Sequence, residues 1–236
     1  MRVADCNWMQ IERYLERDDR IVLPLGSVEQ HAYLSLAVDA ILAERVAVEA
    51  ADPLGVPVLP ALAYGLTPYF AAYPGSPTLR VETYRTVLHD LLESLYGQGF
   101  RRFLLVNGHG GNDAGRTAGE AVEAEHADAR VVWHNWWNAP RTWAVVQRID
   151  LDASHASWLE NYPWTRLEGV EQPDERKPMQ DIAHMRTLDP ADVRELLGDG
   201  SLGGLYERPD EDVLRVWQAG VEEVRDVLAN GWDSRA

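Results

Sequence analysis

Short apolar runs alternate with amphipathic stretches along most of the chain. The apolar runs predict buried strands at residues 21–25, 56–59, 103–106 and 130–133. Apolar positions that recur every three or four residues predict helices at about residues 5–17, 39–51, 81–95, 113–127 and 209–229. This repeated strand–helix order is typical of an α/β fold, a three-layer α/β/α arrangement with a mainly parallel central sheet of about four strands. We find no internal repeat or linker, so residues 1–236 are predicted to form a single domain.

Composition excludes several classes of function. The chain has 38 acidic and 22 basic residues and a net charge of −16, which disfavours binding to nucleic acid or to an anionic membrane. Cys6 is the single cysteine, which excludes an intrachain disulfide and a cysteine-based zinc site. No signal peptide or long apolar segment is evident, and a cytoplasmic location is expected.

The first group of candidate metal-binding side chains follows the strand at residues 21–25. The loop after this strand carries Glu29 and His31, and Asp39 begins the next helix. Open α/β sheets place ligand sites beyond the carboxyl ends of their strands. Two close carboxylates beside an imidazole favour a divalent cation such as Zn or Mn. The alternative is a polar loop in which Asp39 caps the helix.

A glycine-rich loop with one histidine follows the strand at residues 103–106. Residues 107–112 read Asn-Gly-His-Gly-Gly-Asn, and the glycines allow a sharp turn that brings His109 to the same edge of the sheet. A phosphate-binding loop is one alternative, although the Lys-Ser/Thr pair and the glycine spacing of such loops are absent. A tight turn in which Asn112 caps the next helix is the other.

The third candidate group is His155 and Glu160, in the segment His-Ala-Ser-Trp-Leu-Glu. Within one helix these two side chains would lie about 140° apart around the axis and would diverge. If His155 lies in a loop and Glu160 in the first turn of a helix, both point into one cavity. The alternative gives His155 a capping role and leaves Glu160 solvated. The other histidines have no supporting pattern and are expected to be surface or packing residues: His89, His126, His134 and His184.

Taken together, these groups resemble the creatininase family of metal-dependent amidohydrolases. The family pattern contains Gly-Ser-x-Glu-Gln-His, a following Asp, Asn-Gly-His-Gly-Gly-Asn and His-Ala-Gly-x-x-Glu-Thr-Ser. Residues 26–31 and 107–112 match this pattern residue for residue, and the resemblance covers about residues 20–165. It implies a creatininase-like fold and the activity of a metal-dependent hydrolase.

The resemblance also implies a binuclear site for two divalent cations, Zn and/or Mn, with Fe as a further option. Glu29 and His109 would hold one cation, His31 would hold the other, and Asp39 would bridge both. Two cations bridged by a carboxylate would make hydroxide available near neutral pH. His155, which is not needed as a ligand, is predicted to be catalytic and to pass a proton to the leaving group.

The chain departs from the family pattern at positions that affect this assignment. Some creatininases place a further carboxylate two residues after the histidine that matches His109, but Gly111 stands there. Glu160 is therefore assigned as the remaining metal ligand. The segment from His155 also lacks the Gly and Thr-Ser of the family pattern. These changes preserve the ligands but alter the residues that line the substrate, so hydrolysis is predicted more firmly than any particular substrate.

Four tryptophans are candidates for an aromatic wall over a ring-shaped substrate, or for a subunit interface: Trp136, Trp137, Trp158 and Trp164. Trp158 is predicted to be the pocket residue because it lies between His155 and Glu160. The resemblance favours a homo-oligomer, with a hexamer as one form.

Three functions follow as hypotheses. The first is metal-dependent opening of a cyclic amide or similar C–N bond in a small ring substrate. The second is C–C hydrolysis of a cyclic diketone in inositol catabolism, of the dehydro-inosose type, which a branch of the superfamily is thought to perform. The third is a non-catalytic metal-containing binding protein, although a structural site normally has a closed ligand shell.

Overall fold

A parallel three-stranded sheet lies at the centre of the computed structural model, which describes residues 1–232. The strands are adjacent in the order of the chain: β1 (Arg20–Leu25), β2 (Arg102–Asn107) and β3 (Arg130–Asn135). Leu25 pairs with Asn107, and Asn107 pairs with Asn135. The carboxyl ends of the strands are therefore level, and the loops that leave them meet at one edge of the sheet.

The helices are, in chain order, α1 (Trp8–Leu15), α2 (Val38–Ala51), α3 (Val81–Gly97), α4 (Arg116–Glu125), α5 (Pro140–Ile149), α6 (Ile182–Met185), α7 (Pro190–Leu197) and α8 (Asp210–Asn230). Helices cover both faces of the sheet, and the short α6 and α7 belong to a separate core cluster. None of the helices within residues 1–232 combines the length and the apolar character that crossing a bilayer requires.

Alternating side chains of the strands build two cores. Leu104 and Val106 of β2 face a cluster formed with α2, α5 and α8. Phe103 and Leu105 of the same strand face the opposite cluster, formed with α3 and α4. Both faces of the strand are thus apolar, as a central parallel strand requires, and each fully buried side chain of this kind contributes about 1.5–3 kcal/mol. The predicted three-layer α/β fold is confirmed.

The fourth predicted strand, at residues 56–59, is reduced to isolated bridges. Val58 lies beside Val22 of β1 and also bridges Arg2, each in the parallel direction. Pro57 and Pro60 flank this position, and because proline has no N–H they cannot donate to a continuing ladder. The segment occupies the edge position beside β1 without forming a regular strand.

The helical predictions differ from the structure mainly at their ends. The first helix is shorter than residues 5–17, and Trp8 at its start is 70% exposed. The helix predicted at residues 113–127 begins as a 3-10 turn at Gly110–Gly115. Sequence periodicity did not predict α5, α6 and α7, two of which are eight residues or shorter.

Candidate metal centre

Five of the predicted site side chains meet beyond the carboxyl ends of β1 and β2. Glu29 and His31 lie in the loop after β1, and His109 follows β2 directly. Asp39 lies in the first turn of α2, and Glu160 ends a short 3-10 turn. Four of these side chains are buried and Glu160 is partly buried. Loops that are far apart in sequence therefore build one polar site in the interior.

Their ligand atoms form two triads that share Asp39. In the first triad, His109 Nδ1 lies 3.3 Å from Glu29 Oε1 and 2.9 Å from Asp39 Oδ2. In the second, His31 Nε2 lies 3.2 Å from Asp39 Oδ1 and 3.6 Å from Glu160 Oε2. All ligand atoms within each triad lie within 4.8 Å of one another. Asp39 thus offers one oxygen to each triad, which is the arrangement of a bridging carboxylate.

Backbone carbonyls orient both imidazole rings of the triads. The Nδ1 of His31 lies 3.1 Å from the carbonyl oxygen of Glu29, and the Nε2 of His109 lies 2.9 Å from that of Leu66. When each of these nitrogens donates its N–H to the carbonyl, the other ring nitrogen is left to bind a cation. The free nitrogens are His31 Nε2 and His109 Nδ1, and both face their triads.

Three buried ligand atoms have no hydrogen-bond partner outside the triads among the described residues. They are Glu29 Oε2, His31 Nε2 and Asp39 Oδ2, and the last two face only other triad atoms, Asp39 Oδ1 at 3.2 Å and His109 Nδ1 at 2.9 Å. An unpaired buried polar group costs about 1–3 kcal/mol, and more when it is charged. Because all three atoms belong to the triads, the donor set of nitrogen and carboxylate oxygens fits divalent cations such as Zn and Mn.

The pKa values reflect this crowding. Burial raises the pKa of Glu160 to about 7. Burial, assisted by the nearby His31, lowers the pKa of His155 to about 4. For His31 burial acts downward, but the carboxylates of Asp39 and Glu160 outweigh it and raise the pKa to about 10. In the metal-free protein His31 therefore holds a proton at neutral pH, and a cation must displace it.

Asp39 and Asn112 do not have the capping roles that the sequence left open. The helix that contains Asp39 has Ala37 at its N-cap position, and no side chain caps it. Asn112 accepts a hydrogen bond from the N–H of Leu66 and donates to the carbonyl of Gly26, at 3.1 and 3.0 Å. It therefore ties three loops of the site together. No local sequence pattern indicates this role, because it depends on contacts between distant segments.

Gly111 leaves no room for a side chain, and so none for a further carboxylate two residues after His109. A Cβ atom there would lie 1.9 Å from the carbonyl oxygen of Leu66 and 2.5 Å from His109 Nε2. The hydrogen bond that orients His109 thus occupies the space of a side chain. With this position closed, Glu160 supplies the carboxylate of the second triad, and the N–H of Ala156 donates to its Oε2 at 2.6 Å.

His155 lies in a turn beside the triads, as the predicted convergence with Glu160 requires. Its Nδ1 faces Glu29 Oε1 at 3.6 Å and Glu160 Oε2 at 4.0 Å. Its Nε2 lies 3.0 Å from the carbonyl oxygen of Gln30 and 2.8 Å from the side-chain nitrogen of Gln30. The ring also stacks on Phe70 with a centroid distance of 4.7 Å.

A cavity of about 640 Å³ opens onto the triads. Aromatic side chains line it, namely Tyr69, Phe70, Trp137 and Trp143, and Arg186 is the one arginine or lysine of its described lining. The prediction that Trp158 lines this pocket is wrong. Trp158 is fully buried in the core cluster on the α2–α8 face, because the 3-10 turn directs Glu160 and the indole of Trp158 to different sides.

Comparison with known proteins identifies the relatives of the chain. A protein-family model described as creatininase, creatinine amidohydrolase, matches residues 4–232. The creatinine amidohydrolase of Pseudomonas putida is 29% identical over 160 residues, which is 62% of each chain. The 3-dehydro-scyllo-inosose hydrolase of Thermotoga maritima is 32% identical over 103 residues, covering 43% of this chain and 33% of that protein. The chain thus spans less than two thirds of the length of these relatives.

Solved structures show the same fold. A crystal structure of creatinine amidohydrolase superposes with a TM-score of 0.82 at 23% identity, covering 99% of this chain and 98% of the other. Two further solved creatininases, with TM-scores of 0.79 and 0.78, are described as a Zn-Zn form and an Mn form. At this level of identity the similarity establishes the fold.

The closed position at Gly111 leads to a prediction with a matched control. Gly111→Ala is expected to weaken zinc binding at least tenfold, because the new methyl group must displace the Leu66 carbonyl or the His109 ring. Gly110→Ala is the control, since a Cβ there meets only Trp137, at 4.0 Å. Chelator competition measures both affinities. Equal affinities in the two variants would show that the close approach at Gly111 does not hold His109.

The raised pKa of His31 predicts that zinc binding depends on pH. The ring is protonated throughout the range from about pH 6 to about pH 8, because its pKa is about 10. Apparent affinity is therefore expected to rise with pH, by about tenfold per unit for each proton displaced. Zinc titrations in chelator buffers at several pH values measure this slope. An affinity that stays constant across the range would contradict the assignment of His31 as a ligand.

Proposed function

The chain belongs to the creatininase family, and on that premise we propose that it is a hydrolase that uses two divalent cations to open a cyclic amide or similar C–N bond in a small ring substrate. The observation that carries this proposal is the pair of ligand triads that share Asp39. Both triads open onto a cavity lined by aromatic rings. A site of this kind leaves room for substrate, unlike the closed shell of a structural metal.

The proposed ligand sets follow the two triads. Glu29, His109 and Asp39 would hold one cation, and His31, Asp39 and Glu160 would hold the other. Cations bound there would supply a water activated near neutral pH and a Lewis acid for the substrate carbonyl. The protein contributes the fixed orientation of its imidazoles and a buried setting in which charges interact strongly.

His155 would move the proton. Burial keeps the pKa of its ring at about 4, so the ring is neutral near pH 7 and its Nδ1 can take a proton from the attacking water and pass it to the leaving nitrogen. The backbone carbonyl of Gln30 fixes the ring, because it accepts from the Nε2–H both when Nδ1 is free and when Nδ1 carries the added proton. The ring is therefore held in place as its proton moves.

The cavity favours a flat substrate. Phe70, Trp137 and Trp143 present aromatic surface around the triads, and flat rings pack well on such faces. Arg186 lies at the same cavity and is exposed to it. A substrate with a polar or negatively charged group away from the scissile bond would find a partner there.

C–C ring opening is the second candidate, and similarity to a relative named as a 3-dehydro-scyllo-inosose hydrolase supports it. Nitrogen release separates the two chemistries, because opening a carbocyclic diketone liberates no amine. We would incubate the zinc- or manganese-loaded protein with a panel of cyclic amides and cyclic diketones and follow ring opening by mass spectrometry. Turnover of diketones alone would replace the first candidate by the second, and turnover of neither class would favour a non-catalytic binding protein.

The assignment of Glu160 predicts a specific change in metal content. After desalting, which leaves only tightly bound cations, the wild type is expected to retain two cations per chain. The Glu160→Gln variant is expected to retain about one, because the second triad loses the negative charge of its Glu160 oxygen donor. Glu168→Gln removes the same charge from an exposed position and is the control. Elemental analysis after desalting gives both counts. An unchanged count in Glu160→Gln would remove this residue from the ligand set.

The role of His155 predicts loss of turnover with the metals kept. His155→Asn is expected to lower kcat by about 10²–10⁴, which is the usual contribution of a positioned acid or base, and to leave the metal content unchanged. Loss of one cation together with activity would instead identify His155 as a ligand, which its place beside Glu29 and His31 also permits.

A further inference from the structure

A second cluster of histidine and glutamate side chains lies where α3 packs against α4. His89 and Glu93 are one helical turn apart on α3, Glu125 is the last residue of α4, and His126 follows it. The donor atoms of His89, Glu93 and Glu125 lie within 4.8 Å of one another. His89 Nε2 is 3.5 Å from Glu125 Oε2, and His126 Nε2 is 2.9 Å from Glu93 Oε1.

These distances match the coordination shell of zinc. With bonds of about 2.0–2.2 Å in a tetrahedron, neighbouring ligand atoms lie about 3.4 Å apart, which is close to the separation of His89 and Glu125. The ring of His126 is held in place by stacking on Tyr96, with a centroid distance of 3.7 Å. The imidazole of His89 and the carboxylates of Glu93 and Glu125 form a donor set that zinc accepts, with a fourth position left for water, and a cation would offset the two negative charges.

We propose that His89, Glu93 and Glu125 bind a zinc ion at the surface of the protein, separate from the Asp39 centre, with His126 orienting the Glu93 carboxylate. The topology keeps the two sites apart. The Asp39 centre lies at the carboxyl ends of the strands, whereas α4 runs from that edge back to the start of β3. The end of α4 therefore lies at the opposite edge of the sheet. This inference does not depend on the proposed hydrolase activity.

A cation at this place would link the two helices that cover one face of the sheet. α3 and α4 contribute Leu88, Leu92 and Val122 to the core cluster on that face. Joining His89 and Glu93 of one helix to Glu125 of the other would resist their separation. Zinc would then stabilise the folded chain by the free energy with which it binds the native state.

The test compares zinc binding by the wild type and by two variants in equilibrium dialysis at micromolar free zinc. His89→Asn and Glu125→Gln are each expected to bind about one zinc fewer than the wild type, and to lose a few degrees of the rise in Tm that zinc produces. Glu125 is largely exposed, so its variant keeps the fold. His184→Asn and Glu120→Gln are controls that change the same residue types at exposed positions.

Each outcome decides the proposal. Loss of one zinc from both variants, but from neither control, supports the site. Equal zinc content in all five proteins would show that the cluster holds surface ion pairs and nothing else, and would overturn the proposal. The result is independent of the Asp39 centre. If the proposal for that centre is wrong, the wild type retains fewer than two tightly bound cations, and the Glu160→Gln substitution leaves the metal count unchanged.

Discussion

Mutual repulsion among buried carboxylates is the constraint on which the site depends. Glu29, Asp39 and Glu160 converge in an interior where charges interact strongly. In the metal-free protein, protons on His31 and His109 compensate them, which raises the pKa of both rings. Divalent cations can replace those protons and bind the carboxylate oxygens and ring nitrogens that face the two triads. The parallel sheet makes this convergence possible, because its level strand ends bring the loops to one edge.

The convergence of these side chains could be predicted from the sequence because most of them lie close to strand ends. Glu29 and His31 follow an apolar run directly, and His109 stands in a loop whose glycines mark a sharp turn. The carboxyl ends of parallel strands meet, so contact among these side chains could be predicted without coordinates. The position of Glu160 is harder to predict from the sequence, because its orientation depends on the 3-10 turn at Trp158–Glu160. The expectation that Asp39 bridges two cations came from the resemblance to a known family.

Other features depend on packing that no local pattern records. Trp158 appeared to be a pocket residue because of its place between two polar residues, but its indole fills the core. Gly111 approaches the Leu66 carbonyl closely, and Asn112 hydrogen-bonds to the N–H of Leu66. Both contacts join segments that are distant in the chain. The strand predicted at residues 56–59 does not form a regular ladder, because Pro57 and Pro60 have no N–H to donate. Homo-oligomeric assembly and the single-domain boundary stay predictions, which measurements of mass in solution and limited proteolysis address.

The central claim is that Asp39 bridges two cations. An anomalous difference map from crystals of the zinc-loaded protein tests it most directly. We predict two peaks beside Asp39, one next to Glu29 and His109 and the other next to His31 and Glu160. A single peak at this centre, or two peaks that do not both contact Asp39, would contradict the account.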